Sequence, residues 1–199
     1  VKQALAEGYR ALVITSDKDF LQLAGEGVEL FDPMKDRVLD EAYALERYGV
    51  KPRQMRDFLA LVGDAIDNIP KVPGIGPKTA SGLLKKYKTF ENLYKHVGEL
   101  PEKVGLKLAT DAEQAALAKR LATIVVDAPV TVDFEKCRVA GWELGEWVRV
   151  FEEQGFKSLA GRAKNFFGHG KEREGVEREK EKNPPSPRLR RARQLGLLD

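Results

Sequence analysis

Residues 63–80 read GDAIDNIPKVPGIGPKTA, and this segment carries the strongest structural signal in the chain. Two glycines flank Ile75, a pattern that predicts a tight hairpin anchored in the core by that one apolar side chain. Pro77 is favourable at the first position of a helix, whose amino-terminal amides then face outward as a phosphate site. The pattern favours a grip on a nucleic-acid backbone that is independent of base sequence. A plain Gly-Pro turn between two helices is the alternative.

Positive charge accompanies this predicted helix. Lys78 lies in its first turn, and three further lysines extend a basic edge along it: Lys85, Lys86 and Lys88. Backbone amides and lysines contact phosphates rather than bases, so we expect binding without sequence preference.

Two carboxylates stand at the start of the same segment. Asp64 and Asp67 are three residues apart, which places them on one face if they occupy a helical turn. Like charges that are held together destabilise each other unless a cation or a basic group lies between them. A helix end with exposed acids is the simpler alternative.

A second acidic pair follows an apolar run. Residues 11–15 read ALVIT, which is typical of a strand buried on both faces, and Asp17 and Asp19 come directly after it. Ligands of open α/β sheets bind beyond the carboxyl ends of the strands. Side chains two apart in an extended chain point to the same side, so both acids could meet one cation. The alternative is a solvated acidic loop that caps the following helix.

The composition narrows the chemistry. His96 and His169 are the only histidines and Cys137 is the only cysteine, so a zinc site, a histidine-centred triad and an intrachain disulfide are disfavoured. Carboxylates alone favour a hard cation such as Mg²⁺ or Mn²⁺. A single thiol fits a reducing cytoplasm and predicts no disulfide-linked partner. The sequence contains no apolar run long enough to span a membrane and no signal-peptide core at its start, so no membrane association is expected.

The pattern of apolar residues predicts an α/β fold with a partial parallel sheet, followed by helices and a disordered tail. Residues 1–40 are assigned to the α/β core and residues 41–167 to a helical subdomain. Within that subdomain we predict a helix-hairpin-helix at about 59–87 and a return strand near 130–134. Residues 168–199 are charged and prolyl, so they are predicted to be disordered.

The net charge of +3 resides in the tail. From Lys171 onward nine Lys and Arg stand against six acids, compared with 34 and 31 in the whole chain, so the body is neutral. The segment 184–193, PPSPRLRRAR, could add nonspecific attraction to DNA or could simply solubilise the end.

The order of these motifs resembles the 5′-nuclease family. The resemblance rests on TSDKDFLQL at 15–23, DAIDNIP at 64–70 and VPGIGPKTA at 72–80, and it extends over about Leu5 to Phe167. Within the family the sequence is most similar to the 5′→3′ exonuclease domain of bacterial DNA polymerase I. The resemblance implies a PIN-like core with a helix-hairpin-helix subdomain, and a location in the bacterial cytoplasm with the nucleoid. No polymerase sequence follows in the residues up to Asp199, which favours a free-standing nuclease with a separate DNA polymerase as partner.

The resemblance also implies an activity and its residues. The family hydrolyses phosphodiesters of 5′ flaps, nicked duplexes and RNA primers with two divalent ions, in DNA replication and repair. By motif match the metal ligands would be Asp17, Asp19, Asp64 and Asp67. The phosphate contacts would be Gly74, Gly76, Lys78 and Thr79. A monovalent cation such as K⁺ would be held by the main-chain carbonyls of Pro70, Val72 and Ile75.

The family's first acidic strand, its helical arch and its first acidic helix would all precede Val1. A truncated gene product, a partner segment encoded elsewhere and a loss of nuclease activity remain open as explanations. The four acids amount to about half a site, so we expect weak metal binding by this chain alone. The alternative function is a DNA-binding module that does not cut.

Overall fold

The computed structural model describes residues 1–138 and 144–168, which fall into two compact units divided between Thr131 and Val132. No helix within those residues is long and apolar enough to cross a membrane. The tail prediction for 168–199 lies outside the described residues except at its first position.

A small sheet opens the first unit. Helix α1 (Lys2–Ala6) leads to strand β1 (Ala11–Ile14), which pairs in parallel with β2 (Val28–Asp32), and β2 pairs antiparallel with β3 (Arg37–Val38). A short 3-10 helix, Lys18–Leu23, connects the two parallel strands. The predicted α/β class with a partial parallel sheet is confirmed.

Three helical segments lead from the sheet towards the segment 63–80. Helix α2 (Glu41–Tyr48) begins where Asp40 accepts the amide of Tyr43 at 2.9 Å and ends at Gly49, whose φ is +71°. A 3-10 turn, Pro52–Gln54, runs into α3 (Met55–Val62). Helix α3 lies in the core because most of its side chains are apolar and buried.

The remaining helices of this unit follow α3 along the chain. They are α4 (Pro77–Tyr87), α5 (Phe90–Lys95), a 3-10 turn (Val97–Glu99), α6 (Glu102–Thr110) and α7 (Ala112–Ala122). Helix α7 packs on α3 through three buried alanines, which permit a close approach: Ala115, Ala118 and Ala122. Helix α6 was not predicted from the sequence.

The strand expected near 130–134 is a correction. Residues 131–133 are irregular and residues 134–137 form a turn. Val130, whose side chain is 72% exposed, donates its amide to the carbonyl of Ala128 at 2.7 Å. A short β-prone run becomes a strand only beside a partner strand, and none lies beside this run in the described part of the chain.

The second unit contains two described helices. Helix α8 (Leu144–Glu153) and α9 (Lys157–Gly168) pack against each other, and Gly155, with φ of +74°, lies in the turn between them.

Candidate metal centre and nucleic-acid interface

Three of the four predicted ligands converge in the first unit. Asp19, Asp64 and Asp67 each present one carboxylate oxygen, and these oxygens lie within 4.8 Å of one another. Asp64 is buried, Asp19 is half-buried and Asp67 is exposed, so the group opens to solvent on one side. We call these three residues the acid cluster.

Asp17 lies outside the acid cluster. Its carboxylate accepts the amide of Asp19 at 2.9 Å and caps the 3-10 helix. Its own amide donates to Thr15 Oγ1 at 3.1 Å. The capping role proposed as an alternative for this loop therefore describes Asp17, and this cap fixes the backbone that carries Asp19.

A long-range contact holds the same 3-10 helix. The carboxamide of Gln22 donates to the carbonyl of Ala122 at 2.7 Å and accepts the amide of Ile124 at 3.3 Å. The nitrogen and the oxygen of this carboxamide both bond to main chain at the end of α7. The 3-10 helix that carries Asp19 is therefore fixed to the helical part of the unit.

A tight loop, not a helical turn, brings Asp64 and Asp67 together. The main chain of Asp64 exchanges hydrogen bonds with Ile69 at 3.0 and 2.8 Å, which closes residues 65–68 into a turn. Asp64 Oδ1 accepts the amide of Ile66 at 3.0 Å. The predicted convergence is therefore reached through a different local geometry, with Asn68 at a φ of +54°.

Gly63 makes this loop possible. Its φ of +69° and ψ of −176° belong to a backbone region that only glycine adopts readily. A Cβ there would lie 2.7 Å from the carbonyl oxygen of Ile69 and 2.9 Å from the amide nitrogen of Lys71. Glycine thus ends α3 and sets the direction in which Asp64 leaves it.

The ammonium of Lys18 lies within the acid cluster. It forms an ion pair with Asp64 and lies 3.7 Å from Asp67 and 3.8 Å from Asp19. Our sequence reasoning missed this residue. The available signal was its position between two acids that were themselves predicted to face a cation.

The close packing of these charges moves their pKa values. Burial opposes ionisation of Asp64, but contact with Lys18 and the Ile66 amide outweighs it and lowers the pKa of Asp64. Burial raises the pKa of Asp19; the charge of Lys18 opposes this shift, and the neighbouring carboxylates add to it. Burial also opposes the charge of Lys18, yet the surrounding carboxylates raise the pKa of its ammonium. The cluster is therefore a site of negative potential that retains a cation.

The donor set fits a hard divalent cation. All three groups are carboxylates, which Mg²⁺ and Mn²⁺ prefer and which do not by themselves favour zinc. Asp19 Oδ1 is buried and receives no hydrogen bond from the described residues. A buried anionic oxygen without a donor is costly, and coordination to a cation would satisfy it.

The glycine hairpin follows immediately along the chain. Val72 and Ile75 are buried, and the amide of Ile75 donates to the carbonyl of Val72 at 3.1 Å, while Gly74 has a φ of +76°. The predicted anchoring by Ile75 is confirmed. Pro70, at the start of the hairpin, is half-buried. The use of these carbonyls by a monovalent cation stays a prediction.

Helix α4 begins at the hairpin with its amino terminus accessible. Gly76 is its N-cap and Pro77 its first residue, and Lys78 and Thr79 in the first turn are exposed. Lys85 and Lys86 lie in the last turn. An 11-residue helix is about 16 Å long, so the two ends of α4 could contact only different phosphates.

Two side chains from the later helices also reach the hairpin. Lys107 of α6 donates to the carbonyl of Gly74 at 3.3 Å, and Gln114 of α7 donates to the carbonyl of Lys71 at 2.8 Å. Neither residue was predicted, because α6 was missed and the contacts span 33 and 43 positions along the chain.

The segment that contains the acidic loop and the hairpin is similar to a known protein family. Residues 50–144 match the family described as 5′-3′ exonuclease, C-terminal SAM fold. This range contains the loop of Asp64, the hairpin and helices α3 to α7.

Similar curated proteins are bacterial. The chain is 37% identical over 142 residues to the thermostable DNA polymerase I of Thermus thermophilus, covering 71% of this chain and 17% of that protein. It is 36% identical over 133 residues to a 5′-3′ exonuclease of Buchnera aphidicola, covering 63% and 46%. It is 31% identical over 167 residues to a 5′-3′ exonuclease of Aquifex aeolicus, covering 84% and 57%. The chain thus spans less than two thirds of each relative.

Solved structures show the same fold. A structure of T5 5′-exonuclease with bound zinc superposes with a TM-score of 0.55 at 22% identity, over 60% of this chain and 45% of that one. A bacteriophage T5 flap endonuclease in a pseudo-enzyme-product complex with DNA and metal ions gives a TM-score of 0.54 at the same identity and coverage.

Proposed function

We propose that this chain is a member of the 5′-3′ exonuclease family and that it supplies the duplex-binding part and one half of the metal site of a 5′ nuclease. The proposed reaction is metal-dependent hydrolysis of DNA phosphodiesters at 5′ flaps, nicks and RNA primers, in replication and repair. A DNA polymerase is the proposed partner, and the bacterial cytoplasm the proposed location.

The observation that carries this proposal is the adjacency of two sites on one short segment. The loop of Asp64 and Asp67 presents anionic oxygens, and seven residues after Asp67 the hairpin begins its turn at Gly74. The amide of Val72 donates to the carbonyl of Leu61 at 3.0 Å, which ties the hairpin to the helix that leads to the loop. The proposed phosphate-binding hairpin and the proposed cation site are therefore fixed relative to each other through α3.

The hairpin's proposed task is to bind the backbone of the duplex at a distance from the phosphodiester that is cleaved. The amides at the start of α4 carry partial positive charge, and Lys78 lies beside them. Thr79 adds a hydroxyl donor in the same turn. Because none of these groups reads bases, the grip would fix the register of the backbone without sequence preference.

The acid cluster's proposed task is to hold Mg²⁺ or Mn²⁺ through Asp19, Asp64 and Asp67, with Asp17 placing Asp19. When bound, such a cation supplies Lewis-acid stabilisation of the charge that develops on the phosphoryl group. The carboxylates orient the cation, and their opening to solvent leaves room for a phosphate. K⁺ at the carbonyls of Pro70, Val72 and Ile75 is proposed to support the hairpin.

The test is cleavage of a labelled 5′-flap duplex in Mn²⁺ by the chain and by Asp64→Asn. Because the chain holds only about half of the metal site, we expect slow cleavage at millimolar Mn²⁺, which disappears in Asp64→Asn, with flap binding retained in both proteins. Asp127→Asn, which removes an exposed carboxylate of the same unit, serves as the matched control and should cleave normally. Binding with no cleavage by the unmodified chain would support the second candidate function, a DNA-binding module.

A further inference from the structure

The ammonium of Lys18 lies among the three carboxylates of the acid cluster. It contacts all three at once, and the side chain of Lys18 is only 26% exposed. Exposed ion pairs contribute little to stability and hold no fixed geometry. This pair differs, because the side chain of Asp64 is only 6% exposed.

The oxygens of Asp64 have different partners. Oδ1 accepts the amide of Ile66 within the loop. Oδ2 is buried and meets the ammonium of Lys18. The oxygen that the loop leaves available for a metal ion is therefore the one that the ammonium contacts.

We propose that Lys18 is a tethered counter-cation, whose ammonium and a divalent ion occupy Asp64 Oδ2 in mutual exclusion. The inference rests on the proposed function only in taking the divalent ion to be the one that the nuclease site would bind. Lys18 neutralises one of three negative charges while the site is without metal. Entry of a divalent ion removes the need for it.

Electrostatics require the exchange. Mg²⁺ binds its oxygen ligands at about 2.0–2.1 Å, and an ammonium on the same oxygen would bring two cations within a few ångströms. Repulsion at that range is large in a partly buried site. The flexible four-carbon stem of lysine allows the ammonium to move outward without a change in the backbone.

The first test measures Mn²⁺ binding to the full chain by electron paramagnetic resonance of free Mn²⁺. Lys18→Met keeps the length of the side chain and removes its charge. We expect it to bind Mn²⁺ about tenfold more tightly, since the competing charge is gone. Lys51→Met is the matched control, because Lys51 pairs with Glu41 at 3.0 Å and with none of the three carboxylates of the acid cluster. Its Mn²⁺ affinity should equal that of the unmodified chain.

The second test uses the unmodified chain and does not depend on the folding of a variant. Amine acetylation at each lysine is followed by mass spectrometry with and without Mg²⁺. Acetylation of Lys18 should increase several-fold when Mg²⁺ is added, while that of Lys51 stays constant.

Either test can overturn the proposal. Equal or weaker Mn²⁺ affinity of folded Lys18→Met does so, and so does an absence of Mn²⁺ binding by that variant at millimolar concentrations. An extent of Lys18 acetylation that does not change when Mg²⁺ is added would also overturn the proposal. A failure of flap cleavage with the expected order of Mn²⁺ affinities would remove the nuclease function and leave the exchange at Asp64 intact.

Discussion

The ammonium of Lys119 lies 2.8 Å from a carboxylate oxygen of Asp57, and this pair joins α7 to α3. The other oxygen of Asp57 accepts the amide of Phe90 at 3.1 Å, which adds the start of α5 to the same contact. Three helices therefore meet at one buried carboxylate. Because α3 ends at the loop of Asp64, this contact also fixes the helix from which the acid cluster extends.

Removal of the Lys119 ammonium should lower the unfolding free energy more than removal of the Asp57 charge does. Among the described residues, Lys119→Met leaves buried Asp57 with only the more distant Arg56 as a counter-charge, at 3.8 Å. We expect a loss of about 3 kcal/mol in unfolding free energy. Asp57→Asn keeps an oxygen for the Phe90 amide and should cost less. Urea denaturation measures both, and a loss below that of Asp57→Asn in Lys119→Met would contradict the prediction.

Gly63→Ala should destabilise the protein and disturb the acid cluster. The added Cβ meets the main chain of Ile69 and Lys71, which cannot move without breaking the loop, so we expect a loss of about 2–3 kcal/mol. Gly82→Ala, in α4 with open space around the new methyl, is the matched control and should be neutral or stabilising by up to about 1 kcal/mol. Thermal denaturation distinguishes them, and equal melting temperatures would refute the strain at Gly63.

Gly76→Ala should separate DNA binding from folding. Its φ of −95° is open to any residue, and a Cβ at this position meets nothing of the described chain within 4 Å. Unfolding free energy should change by less than about 1 kcal/mol. A methyl group at the amides of α4 would hold a phosphate away, so duplex affinity in fluorescence anisotropy should fall about tenfold. Unchanged affinity would show that DNA does not approach Gly76 closely.

Lys107→Met should weaken duplex binding through charge. Its ammonium lies at the hairpin, on the carbonyl of Gly74, where it can add one phosphate contact to those of α4. We expect the slope of log affinity against log salt to fall by about one. Lys95→Met removes an exposed lysine at the end of α5 and should leave the slope unchanged. The same slope for Lys107→Met would assign Lys107 a structural role only.

Acid should release the stabilisation contributed by Asp64. The folded-state pKa of Asp64 is depressed below its ordinary value of 3.8, so the contribution is complete above that value and is lost as the pH falls through the folded pKa. In Lys18→Met the pKa of Asp64 should rise, because its main counter-charge is gone while burial remains. Carbon-detected NMR titration of the carboxyl measures both proteins, and an unchanged pKa would show that Lys18 does not set it.

Much of the secondary structure could be read from short-range patterns. Asp40 and Gly49 mark the ends of α2, Pro77 marks the start of α4, and β1 and β2 follow their apolar runs. These features depend on capping and backbone sterics within a few residues. Helix α6 was missed because Pro101 occupies its N-cap without a side-chain cap, so no polar capping residue marks its start. The strand near 130–134 was wrong because strand formation needs a neighbour.

The sequence alone indicated the family resemblance, the glycine hairpin and the two acidic pairs, because each depends on residue types at close spacing. Only the tertiary structure decided which charges meet across long separations. It left Asp17 as a cap, placed Lys18 against Asp64 from 46 positions away and brought Lys107 to Gly74. Such contacts follow from how helices and strands pack, and packing depends on the whole core rather than on any local pattern.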